Sequence, residues 1–140
     1  MTSKTFPFRT LLLSLLSLMT IMQAASLYAA NVTGTWSGTF YSNHSDTAPF
    51  TVTVVINPDS VGHLIGSSTL TSHCLKDAQL EVTVTGSDVV LAGSDKNGDN
   101  MTVRGSLDNT GTQLKSIYIL NGSATGGCET DDGTGTLTKR

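Results

Sequence analysis

The stretch Val32-Thr33-Gly34-Thr35-Trp36-Ser37-Gly38-Thr39-Phe40-Tyr41 decides the fold. Val32, Gly34, Trp36, Gly38 and Phe40 fall on one side of an extended chain, and Thr33, Thr35, Ser37, Thr39 and Tyr41 on the other. A period of two marks a strand with one buried face, whereas a helix repeats its apolar residues every three or four. The same alternation returns downstream. Phe50, Val52, Val54 and Ile56 oppose Thr51 and Thr53; Leu80, Val82 and Val84 oppose Glu81, Thr83 and Thr85. Met101, Val103 and Leu107 oppose Thr102, Arg104 and Ser106.

Turn-forming runs separate these stretches: Asn57-Pro58-Asp59, Thr85-Gly86-Ser87-Asp88, Lys96-Asn97-Gly98-Asp99 and Asp108-Asn109-Thr110-Gly111. Eight strands are predicted, at 32–41, 49–57, 64–72, 78–85, 88–94, 101–107, 113–121 and 133–138. The connections are hairpin-length and leave no room for a crossover helix. An all-β, eight-stranded antiparallel up-and-down barrel follows most simply, because closure removes both exposed edges. A β-sandwich is the alternative.

Residues 1–30 read as a signal peptide. Lys4 and Arg9 supply the positive start, Leu11 to Met22 the apolar core, and Ala24, Ala25, Ser26, Ala29 and Ala30 the small residues of a cleavage region between 26 and 30. Removal would leave residues 31–140 as a single exported domain, secreted or periplasmic, with no stable membrane span. Lys4 and Arg9 are two of the eight basic residues, so residues 31–140 carry six against eleven acids, a net −5. That balance excludes a nucleic-acid stripe and disfavours an anionic membrane. Four Asn-x-Ser/Thr sequons, at Asn31, Asn43, Asn100 and Asn121, would matter only on a eukaryotic secretory route.

In a barrel of this order the longer connections share one end: Ser42–Ala48, His73–Asp77, Asp95–Asn100 and Gly122–Asp132. Cys74 and Cys128 both fall there, and a disulfide between them is expected in an oxidising compartment. So do most of the acids. The candidate binding rim is therefore His44, Asp46, His73, Asp77, Asp95, Asp99, Glu129, Asp131 and Asp132, since loops on a rigid scaffold are where binding resides.

No catalytic residue is assigned. There is no Gly-x-Ser-x-Gly elbow, the histidines are scattered, and paired cysteines leave no thiol nucleophile. Asp95 to Asn100 spaces oxygen donors as a calcium loop does. Gly98 comes one place early, however, and Ser106 stands where a bidentate Glu is required, so a hairpin turn is expected. No metal and no cofactor are expected.

Gly34-Thr35-Trp36 at the start of the first strand resembles the opening of the calycins, the lipocalins and avidin-like biotin binders among them. The resemblance covers one strand of eight. It implies a small exported barrel; Trp36 itself, as a single large aromatic on the inner face, is expected to pack as a structural plug near the closed end. In the avidin family a polar amide two residues after that tryptophan contacts biotin; here Gly38 stands there, and no further tryptophan is present. Two functions follow as expectations. One is a non-catalytic module binding a protein or other cationic partner on the acidic rim. The other is a carrier of a small apolar ligand in the barrel mouth. A hydrolase ranks last.

Overall fold

The computed structural model describes residues 32–62, 64 and 68–140. The signal peptide expected at 1–30 lies outside them, as does His63. Eight antiparallel strands close into a barrel in sequence order: β1 (Gly34–Ser42), β2 (Phe50–Ile56), β3 (Ser68–Thr71), β4 (Ala78–Thr85), β5 (Asp88–Ser94), β6 (Asn100–Leu107), β7 (Gln113–Asn121) and β8 (Asp131–Lys139). The up-and-down barrel is thus the observed fold rather than the sandwich. Among the described residues no helix is long and apolar enough to cross a membrane.

Alternation carries over residue by residue. Along β7, Leu114, Ser116, Tyr118 and Leu120 are buried while Gln113, Lys115, Ile117, Ile119 and Asn121 are exposed. The apolar face lines the inside and a Thr- and Ser-rich face points out. A barrel that spans lipid shows the reverse polarity.

The interior is filled with side chains. Trp36 at one end and Phe40, Phe50 and Tyr118 at the other bracket a layer of Val52, Val54, Leu70, Leu80, Leu91, Val103 and Leu137, all buried. The Trp36 indole nitrogen donates to the Val32 carbonyl at 2.8 Å, so burying this tryptophan strands no polar group. Lys139 Nζ stands 5.8 Å from its ring centre. At the other end the Phe40 ring lies 5.2 Å from Tyr118 and 6.1 Å from Phe50. This aromatic layer fits because Gly135 faces Phe40 from the neighbouring strand. A Cβ on Gly135 would stand 1.9 Å from the Phe40 ring.

Several boundaries differ from expectation by one or two residues; of the strand expected at 64–72, Ser68–Thr71 is β3 and residues 65–67 lie outside the described ones. β1 begins two residues later, at Gly34, and β8 two residues earlier, at Asp131. The second shift has consequences at the rim.

Candidate functional site

The connections 43–49, 72–77, 95–99 and 122–130 gather at the end of the barrel capped by Phe40, Phe50 and Tyr118. Cys74 and Cys128 are bonded there, with Cα atoms 5.2 Å apart across a sequence separation of 54. The bridge ties the β3–β4 connection to the β7–β8 connection across the mouth.

Under this bridge the 122–130 segment wraps around one carboxylate. Asp99 is fully buried. Its Oδ1 accepts from the Ser123 backbone N–H at 2.6 Å, and its Oδ2 from Gly127 and Cys128 N–H at 2.8 and 3.2 Å. The wrap is close enough that a Cβ on Gly126 would sit 2.0 Å from Oδ2. The Ser123 N–H bond, with those from Gly127 and Cys128, outweighs desolvation and holds the Asp99 pKa below the ordinary carboxylate range. Asp95 bends the preceding turn, its Oδ1 accepting from Asn97 and Asp99 N–H at 2.7 and 3.1 Å. The Asp95–Asn100 run is therefore a hairpin turn locked to its neighbour. Among the described residues no three His, Cys, Asp or Glu side chains group around a metal position.

A second network fixes the β1–β2 connection. Asp131 is buried as the first residue of β8, rather than standing on a loop as its sequence position suggested. Its oxygens accept from Ser42 Oγ at 2.5 Å and from the Tyr118 hydroxyl at 2.6 Å. Burial works to raise the Asp131 pKa, but these two hydroxyl donors prevail and the net shift is downward. The Tyr118 hydroxyl is pushed well above its usual value by burial first and by Asp131 second. Next along β8, Asp132 reaches outward. It accepts from Asn43 Nδ2 at 2.7 Å and lies 3.2 Å from His44 Nε2.

The nine rim candidates thus divide. Asp95 and Asp99 are turned inward as braces: each accepts from backbone N–H donors that the loop would otherwise leave unpaired. Asp131 braces Ser42 and Tyr118 but keeps one edge at the mouth. His44, Asp46, His73, Glu129 and Asp131 line a single hollow of about 490 Å³. Asp132 stands on its outer flank with His44. Asp77 lies in the 72–77 connection in a left-handed conformation, φ 49°, with Thr71 Oγ1 at 3.5 Å. Thr47, Leu120, Gly127 and Thr130 complete the hollow. Leu120 falls in the strand expected at 113–121, but nothing in the pattern marks the other three. The His73 ring packs against Phe50 at 4.4 Å, so the aromatic layer that closes the barrel holds this wall of the hollow in place.

The Asp99 brace predicts a pH effect. A carboxyl whose pKa is depressed by folding contributes stability that is complete above its unfolded value, about 3.9, and disappears as pH falls through the folded value. Asp99→Asn is expected to lower Tm by roughly 5–10 °C at pH 7, since an amide satisfies the three N–H donors poorly. It should also flatten the acid limb of stability below about pH 4, with Asp108 and Asp131 supplying the remainder. Melting curves from pH 7 to pH 2 check both.

No protein-family model, no curated protein and no solved structure matches the chain.

Proposed function

We propose that the protein is an exported, non-catalytic binding module that takes a cationic group of a partner protein into the acidic hollow of its rim. The observation that supports this reading most is the hollow itself: Asp46, Glu129 and Asp131 line it together with Leu120 and the Phe50-packed His73. Such a site suits the ammonium or guanidinium of a Lys or Arg side chain, whose methylene stem can pack on the His73 ring while its head meets the acids. An excess of one sign on the rim also steers an oppositely charged partner toward it.

The packed interior supports rim binding over a ligand held inside the barrel, because Trp36, Phe40, Phe50 and Tyr118 occupy the space a carrier would leave open. The calycin relationship belongs to the same proposal, supported by the closed eight-stranded barrel and by the buried Trp36 two residues after Gly34. Export is supported by the bonded cysteines, which suit an oxidising compartment.

The test is binding of a decalysine peptide followed by calorimetry across a salt series. Affinity is expected to fall as salt rises. Asp46→Asn combined with Glu129→Gln should weaken binding roughly five- to tenfold. Asp88→Asn, at the opposite end, should leave it unchanged. Equal affinity in the rim variant, or equal loss from Asp88→Asn, overturns the assignment of the rim.

A further inference from the structure

Exposed large apolar side chains are concentrated on one wall. Among the described residues four are exposed, Tyr41, Val61, Ile117 and Ile119, and three of these share the outer face of β1, β8 and β7. The strand registers place them on a grid. Arg104, Ile117, Thr134 and Tyr41 form one row across β6, β7, β8 and β1. Ile119 and Asp132 stand in the row nearer the rim, Lys115 and Thr136 in the row farther from it. Thr134 and Thr136 are short, so hollows of about 410 and 460 Å³ run along β8 above and below Thr134. The wall therefore carries an apolar ridge, Ile117 with Ile119, beside a groove.

We propose that this wall is the interface of a homodimer, its two-fold axis crossing the strands between Ile117 and Thr134. Charge selects a second copy and sets the axis. The wall bears an acid on its rim side, Asp132, and a base on its far side, Lys115. A two-fold across the strands turns the second barrel end over end. Asp132 of each copy then faces Lys115 of the other, and Ile117 faces its own symmetry mate. Tyr41 of each copy falls over the lower hollow of the other, which Thr39, Thr134 and Thr136 line. A two-fold along the strands would bring the two acidic rims side by side, and like charges oppose it. The end-over-end arrangement points the rims apart and leaves both open. The wall measures about 14 Å from β6 to β1 at the usual strand spacing, so the dimer belongs to the small, weak class of interfaces. The inference does not depend on what the rim binds.

Sedimentation equilibrium of the purified protein from 1 µM to 1 mM tests it. The mass is expected to double with a midpoint on the order of 10–100 µM. Ile117→Glu should stay monomeric throughout with an unchanged melting curve, because the side chain is exposed. Lys115→Glu should weaken association about tenfold or more, and adding Asp132→Lys should restore it to within about threefold. Should the double variant fold poorly, Ile117→Cys supplies a separate readout. It should cross-link to itself under mild oxidation, while Thr138→Cys, on the same wall but remote from the axis, should not. A wild-type protein monomeric at 1 mM overturns the proposal, as does a dimer that survives Ile117→Glu. Detergent or vesicle binding lost in Ile117→Glu, with no self-association, would assign the wall to a lipid surface instead.

Discussion

Cys74→Ala combined with Cys128→Ala is expected to lower the free energy of unfolding by about 4 kcal/mol. The bond closes a loop with a sequence separation of 54, and opening it restores conformational freedom to the unfolded chain. Denaturant titration of the two proteins measures the difference. A loss below about 1 kcal/mol would mean that the unfolded chain keeps this region compact without the bond. The folded state offers a second readout. The 122–130 segment is held by the disulfide and by the Asp99 carboxylate at once. Without the bond it stays attached through Asp99, so its amides should exchange faster while those of β5 and β6 stay protected. Asp99→Asn in the cysteine-free background should cost more than the separate effects combined, because the two ties secure one segment.

Phe40→Ala should be as damaging, at about 3–5 kcal/mol, since it opens a void between Phe50 and Tyr118. Its partner position fails in the opposite sense. Gly135→Ala drives a methyl group into the Phe40 ring and is expected to cost about 1–3 kcal/mol by overpacking. In a Phe40→Leu background the added methyl meets a smaller neighbour, so the penalty of Gly135→Ala should shrink. Thermal or denaturant unfolding of the four proteins gives the coupling. Additive losses would show that Gly135 acts through backbone conformation rather than by making room for the ring.

Most of the architecture was legible because it rests on a period of two, and that pattern is local. Trp36 and Phe40 on one face of β1, with Thr35 and Thr39 on the other, needed no tertiary information. The disulfide was legible at one remove: strand order put Cys74 and Cys128 at the same end, and the two are bonded there. Which rim acids turn inward is not legible in the sequence, for a physical reason. An aspartate near a turn looks the same in sequence whether it meets solvent or gathers backbone N–H groups. Asp46 and Glu129 face the hollow, while Asp99 is buried by a segment more than twenty residues away. Asp131 reads as a loop residue in the sequence because the alternation is unreadable among Gly133 and Gly135, which puts the expected strand start at 133. Its partners Ser42 and Tyr118 come from two other strands, and no spacing along the chain joins the three.

Seven of the eight ladders join strands that are neighbours along the chain, and each can form as a hairpin or a short loop closes. The ladder between β1 and β8 is different, since it unites segments about a hundred residues apart. Loop entropy makes that seam the slow and late step of folding. Until it zips, the chain is an open sheet with two unsatisfied edges, the state in which it is most exposed to pairing with another molecule. Tyr41 and Thr134 face each other across this same seam. The last contact made as the chain folds is therefore laid along the wall where a second copy is proposed to dock, and a partner bound there would act as a clamp on the seam. The rate of unfolding should fall as protein concentration rises, and the unfolding midpoint should rise with it, since the second copy binds only the closed barrel.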